Sequence, residues 1–409
     1  MLRRVLVGLL AVAAVLGLAV AARIVAVGYG PPAGPSVAEA QTRYLHRSLA
    51  AGAGTEMQEL FPEGDFFLRA LTAMAEVRTD SPDLVAARAL RDSLDRPESV
   101  AVFGSGMVPE HGIFQAGWTL AVAVDLARAS GSPADADDVR RRAGVVDGAL
   151  RRSRSGFLEG YPGQYWPCDT VVAAAALAEA ALLLDQPSWL DAVRAWRDRA
   201  GQHVDPATGL LPHRVDAAGR ALEGPRGSSQ SITQAFWPAV GRALDGRADL
   251  ATWAAFRAAF VVREAGLVGV REFPRGQTGV GDVDSGPLLL GVSASASAVA
   301  LAAARAVGDA DLAADLDREA ELLGLPLRWA GERRYAFGLL PVGDAFLAWA
   351  RTRPIDPTGD LASSQESVRP WWPVLAAPFL IPLLGLLVVN RGRGARPSRL
   401  RARSGAAGR

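Results

Sequence analysis

Four short segments of this 409-residue chain bring together residue types that move protons or hold polar ligands. Glu63 and Asp65 stand in the first, 61–67; Glu110, His111 and Gln115 in the second, 107–117; Cys168 and Asp169 near the end of the third, 161–170; and Asp282 and Asp284 in another, 281–287. Carboxyl groups about 5 to 9 Å apart can divide glycoside hydrolysis between an acid and a nucleophile or base. Histidine donates and accepts protons near neutrality, and a neighbouring carboxylate raises its basicity, which makes His111 beside Glu110 an acid/base candidate. Cys168 follows Pro167 at a helix start, where the helix terminus lowers a thiol's pKa and favours a nucleophile or proton donor. Tyr161, Tyr165 and Trp166 offer aromatic walls, Gln164 and Gln115 offer hydrogen bonds, and Gln230 is a further polar candidate facing inward.

Each of these residues also has a purely structural reading. Asp169 serves equally as a helix cap, and a single cysteine equally as a small buried hydrophobe. Asp282 and Asp284, two residues apart, suit either a carboxylate pair in an extended loop or an Asx turn, and the stretch lacks the twelve-residue calcium-loop pattern. His203 and His213 have no compact metal-ligand spacing. The chain has no dinucleotide fingerprint, phosphate-binding loop or HExxH motif, and Gly104-Ser-Gly106 is not a nucleophile elbow. Neither a cofactor nor a metal is expected.

The elements that must position these groups recur. Six glycine-, proline- or polar-rich leaders, 61–67, 107–117, 161–170, 227–234, 281–291 and 335–344, each open an apolar helix, at a mean spacing of about 55 residues. Most of those helices are followed by a more charged one: 66–77 with 81–94, 113–130 with 134–152, 169–184 with 188–200, 231–244 with 249–264, and 289–307 with 309–323. The last inner candidate, 339–351, lacks a following partner unless the N-terminal helix over 37–60 supplies it. Pro82 after Ser81 reads as a helix start. The pattern predicts an all-α fold, an (α/α)6 toroid-like barrel with buried inner and half-exposed outer helices, the leaders gathered at one end. No alternating pattern is long enough to found a sheet, although 271–273 and 325–329 could be strands. If the ring closes, acids of the first and fifth leaders face one another across its mouth.

Charge and hydropathy divide the ends from the middle. Residues 5–22 and 371–389 are uncharged apolar runs flanked by arginines, which predicts N- and C-terminal transmembrane helices with both termini cytoplasmic and the middle outside. Ala19, Ala21 and Ala22 leave a signal-peptide cleavage site open as the alternative for the first run. The expected organisation is an anchor or signal-anchor over 1–28, a linker and leading helix over 29–54, the toroid over 55–354, a linker over 355–369, a second span over 370–390 and an arginine-rich cytoplasmic tail over 391–409. All 43 acidic residues lie between the terminal segments, against 34 of the 44 basic ones, so the middle is acidic and unsuited to nucleic acid. One cysteine excludes an intrachain disulfide.

The helix pairs with 161–170 and 282–287 at their mouths resemble the α/α-toroid superfamily, especially the linalool dehydratase/isomerase-like proteins and the carbohydrate-active toroids. That resemblance implies an acid/base enzyme of the cell envelope. With a glycan substrate, Asp65, Asp282 and Asp284 would be the working carboxylates. With a small hydroxylated or terpenoid alcohol, Asp65, His111 and Cys168 would act beside Tyr161 or Tyr165; this chain has one cysteine where that family uses two. A binding or scaffold domain of the envelope is the non-enzymatic alternative, and it predicts a filled or shallow ring centre.

Overall fold

The computed structural model describes residues 2–30, 33–264, 267–357 and 372–391. Most of the expected linker 355–369 and all of the tail beyond Arg391 lie outside the described residues. The chain divides into two compact units, one of residues 1–30 with 368–409 and one of residues 31–367.

In the first unit, α1 (Leu2–Tyr29) contains a 26-residue stretch from Arg4 to Tyr29 that is long and apolar enough to cross a membrane or to act as a signal sequence. Leu9, Val15 and Leu16 present apolar side chains outward, as a lipid-facing helix does.

The second unit is built as helix pairs. In chain order it contains α2 (Pro35–Ala50), α3 (Ala53–Leu60), α4 (Gly64–Glu76), α5 (Leu84–Ser93), α6 (Pro97–Val100), α7 (Gly112–Ser130), α8 (Pro133–Arg152), α9 (Pro167–Leu183), α10 (Pro187–Ala200), α11 (Gly227–Asp245), α12 (Leu250–Phe260), α13 (Ala294–Val307), α14 (Ala310–Leu323) and α15 (Pro341–Thr352). Helices α4, α7, α9, α11, α13 and α15 pack each against the next, and α15 returns to α4. That closure makes the unit an α/α toroid. The outer shell is α5, α8, α10, α12 and α14, and α2 fills the sixth outer place by packing against both α15 and α4.

Composition explains which helices lie inside. Helix α9 is largely alanine, valine and leucine and buries nearly every position through Ala181, whereas α8 buries one face and exposes arginines on the other. Pro35, Pro133, Pro167, Pro187 and Pro341 occupy helix first turns, where a missing N–H costs nothing. Inner helices α7, α11 and α13 end at Gly131, Gly246 and Gly308, all left-handed, where the chain turns back toward the outer shell. Helix α5 begins later than Ser81 predicts: Asp83, not Ser81, caps it, accepting from the Val85 and Ala86 amides at 3.0 and 2.9 Å.

The expectation of a sheet-free fold needs correction. Strands β1 (Arg214–Val215) and β2 (Ala221–Glu223) form one hairpin; β3 (Val261–Glu264), β4 (Leu267–Arg271), β5 (Leu288–Leu289) and β6 (Val292–Ser293) form a four-stranded sheet in the order β3-β4-β6-β5; β7 (Leu327–Trp329) and β8 (Glu332–Arg334) form another hairpin. The helix read over 249–264 stops at Phe260, because β-branched Val261 and Val262 pair with Val270 and Gly269. The helix read from 289 starts at Ala294 for the same reason, with Val292 and Ser293 paired to β4.

Across the waist of the ring, Phe67, Trp118, Phe236, Phe346 and Trp349 meet from α4, α7, α11 and α15 with ring centroids 5.2 to 6.5 Å apart. These side chains form an aromatic floor that bridges inner helices not adjacent in the ring, α7 with α11 and α15.

The second apolar run of the chain belongs to the first unit and is interrupted: α16 (Trp372–Ala376), a 3-10 turn over Ala377–Leu380, then α17 (Ile381–Arg391). All three pieces pack against α1. Its apolar helical stretch, Pro373–Val388, is shorter than that of α1, and prolines at 373, 378 and 382 account for the break.

Candidate active site

The leaders do not contribute equally. Those of α4, α9 and the loop before β5 bring three carboxyl groups into electrostatic contact at the leader end of the ring: Glu63, Asp169 and Asp284. Glu63 occupies the position before α4 and makes no side-chain cap. Burial raises it to about 7, with the Asp284 charge adding to the effect. Asp284 is exposed; partial desolvation, then the neighbouring Asp282 charge, raise it to about 6, while Arg226 pulls the other way.

Asp169 sits in the first turn of α9 and is buried. Desolvation raises it well above the ordinary carboxyl range, and the Asp284 and Glu63 charges push further in the same direction. Room beside it comes from Gly160, where any Cβ would run into Asp169 Oδ2. A larger side chain there would displace the carboxyl group.

Cys168 overturns an electrostatic expectation. A helix N-terminus favours the thiolate, but burial and the adjacent Asp169 and Asp284 carboxylates outweigh it and raise the thiol well above its usual value. The thiol stays protonated and donates to Asp169 Oδ1 at 3.6 Å, so it is not an activated nucleophile.

Asp282 and Asp284 also part company. Asp282 pairs with Arg226, and its Oδ1 accepts the amides of Asp284 at 3.1 Å and Ser285 at 3.0 Å, an Asx turn. Asp284 makes none of these bonds with its carboxyl group. Asp65 is likewise engaged: it accepts from Arg69 Nε one helical turn on, at 2.8 and 2.9 Å, and lies against Gly54 of α3. Asp65 and Asp282 are therefore engaged by arginines, whereas Glu63 and Asp284 are electrostatically coupled to Asp169.

The remaining candidates frame the site. His111 Nδ1 bonds the Gly104 carbonyl oxygen at 2.7 Å, and the Glu110 carboxylate accepts the Gly106 amide at 3.0 Å, so this pair shapes its own leader. Gln115 is buried within α7. Tyr161 packs among Phe103, Phe114 and Trp166, and its hydroxyl is buried without a partner among the described residues. Gln164 is exposed in a tight turn whose amide bonds the Tyr161 carbonyl at 2.8 Å. Tyr165 pairs with Val215 through its backbone, and burial followed by the Glu159 charge raises its hydroxyl pKa. Gln230 is buried and donates to the Leu211 carbonyl at 2.7 Å, leaving Oε1 unpartnered.

A supporting group emerges that the sequence reading passed over. Arg226 links Glu223 at 2.7 Å to Asp282, and buried Glu272 accepts Ser228 Oγ at 2.9 Å and the Ser228 amide at 3.1 Å. Burial raises Glu272 to about 7 and, together with the Arg226 charge, lowers His213 to about 4, so the histidine is neutral. The one sequence signal for Arg226 was its place directly before the Gly227 leader. Among the described residues, no group of three or more His, Cys, Asp or Glu side chains is placed to hold a metal ion.

No family model and no curated protein matches the chain. Among solved structures it is similar to a selenomethionine derivative of a GH76 alpha-mannanase from Bacteroides thetaiotaomicron, at 12% identity and a TM-score of 0.42, covering 69% of this chain and 85% of that one.

Proposed function

We propose that the chain is a membrane-tethered, extracytoplasmic toroid enzyme that hydrolyses glycosidic bonds by carboxyl acid/base chemistry. The observation that supports this reading is the division within one group of carboxyls: burial raises Asp169 well above the ordinary carboxyl range, whereas Asp284 is raised only to about 6. Two carboxyl groups whose surroundings push them apart are the arrangement that assigns an acid and a base. Asp169 delivers its proton to the departing oxygen as the glycosidic C–O bond breaks. Asp284 meets the anomeric carbon, either directly or by taking a proton from the water that adds there, and the stereochemistry of the product distinguishes the two. Glu63 acts on Asp169 through its charge, and the Tyr161 and Trp166 rings supply faces for a sugar.

Incubation of the full chain with oligosaccharides of envelope glycans, followed by NMR of newly released reducing ends, tests the reading. Release is expected; no release from any glycan, with turnover of a small alcohol instead, overturns it. The rate should rise as pH passes about 6, where Asp284 ionises, and fall at higher pH as Asp169 loses its proton.

One observation favours a second reading, a hydro-lyase or isomerase acting on a small alcohol: the protonated Cys168 thiol bonded to Asp169, whose carboxyl group shares the surroundings of Gly160 with Phe114. Cys168→Ser separates the two. A glycosidase keeps most of its kcat, within about threefold, since serine preserves a donor to Asp169, whereas a cysteine-dependent dehydratase loses about 10²-fold or more.

A further inference from the structure

Below the aromatic floor, at the end of the ring opposite the leaders, lies a cavity of about 20 Å³, room for one water-sized guest. Its walls carry Arg78, Asp125, Glu179 and Arg353 beside Phe236. Arg78 pairs with Asp125 at 2.5 Å, and Arg128 bridges Asp125 at 3.5 Å and Glu179 at 3.0 Å. Three guanidinium groups thus face two carboxylates.

Arg353 is 93% buried, since only 7% of it is exposed, and lies over the rings of Phe236 and Trp349, 5.2 Å from each centroid. This packing fixes the guanidinium in place. Its Nη1 is buried with no acceptor among the described residues, and the same is true of Arg78 Nη1. Leaving a buried charged donor unmet is costly, so a guest that accepts from both is strongly favoured. Burial, and after it the Arg78 charge, lower Arg353 to about 9, which marks a surplus of positive potential.

We infer that this cavity is a binding site for a small monovalent anion of the halide class, held by Arg78 Nη1 and Arg353 Nη1. A single negative charge balances the three arginines against Asp125 and Glu179. A water molecule would accept from the same donors but leave that surplus in place.

The detergent-solubilised full chain can be unfolded thermally in sodium chloride or bromide and in sodium gluconate at matched ionic strength. Chloride and bromide are expected to raise the midpoint saturably at low concentration, by roughly 2–4 °C relative to gluconate, whose anion is too large to enter. Arg353→Met, which keeps the packing stem, should abolish the difference. Glu179→Gln should reduce the half-saturating chloride concentration several-fold, the opposite of what simple loss of an ion pair does, and it keeps the test decisive if Arg353→Met fails to fold. Crystals grown in bromide should show an anomalous peak between the two Nη1 atoms. Coincident halide and gluconate curves, or a Glu179→Gln variant whose chloride response is unchanged or weaker, would show that the cavity holds water only and overturn the proposal.

Discussion

Asp169→Asn is expected to lower kcat by roughly 10²–10⁴-fold on natural glycosides while sparing substrates whose leaving group needs no proton. The reason lies in what the aspartate supplies. Burial raises its carboxyl group well above the range in which most aspartates ionise, so in the proposed mechanism its contribution is a proton delivered to an oxygen that would otherwise depart as an alkoxide. Asparagine fills the same space beside Gly160 and can still accept from Cys168, but it has no such proton to give. Parallel kinetics with alkyl and dinitrophenyl glycosides check this: the loss should be large for the first and small for the second. Asp284→Gly should impair both alike, and added azide should restore turnover by taking the vacated place at the anomeric carbon. Equal losses in Asp169→Asn for both leaving groups would show that the two roles are assigned the wrong way round.

The second large effect concerns closure of the ring. Arg351→Leu is expected to lower stability by about 3–5 kcal/mol, measured by chemical denaturation. The side chain is 1% exposed and donates to Asp317 at 2.7 Å, Gln41 at 2.8 Å, Tyr335 at 2.7 Å and Glu321 at 2.9 Å. Those acceptors belong to α14, α2 and the strand end before α15, so one guanidinium holds the first outer helix against the last helix pair. Removing it leaves Asp317 buried without its arginine. Arg351→Lys keeps the charge but cannot serve four acceptors and should recover only part of the loss. Hydrogen exchange should report the weakening first in α2, the element whose docking completes the circle.

The sequence disclosed the ring through local signals: proline at helix starts, glycine at their ends, and alanine-rich helices alternating with charged ones. The sixth outer helix was readable as a possibility because the last inner helix lacked a partner. The small sheet was not, since β5 and β6 have two residues each and are defined by pairing, β6 with β4 and β5 with β6. At the site, the leaders could be ranked but the working acid in each could not. Asp65 faces Arg69 at a spacing of four, a signal present in the sequence, yet Asp65 and not Glu63 was the working carboxylate expected of the first leader. For Asp282 and Asp284, the turn reading and the pair reading fit the same letters, and Arg226, 56 residues away, decides between them. The protonated state of Cys168 depends on Asp284, still further along the chain.

The aromatic floor has a kinetic consequence. Phe67, Trp118, Phe236, Phe346 and Trp349 bridge inner helices that are not neighbours in the ring, α7 with α11 and α15. In the proposed glycosidase a polymer would meet these rings instead of threading past them, and both fragments of a cleaved substrate would leave by the route along which the next one arrives. Departure and arrival would then compete for one opening, so turnover would be held back by its own products, and chain ends or exposed bends would enter more readily than the taut middle of a strand.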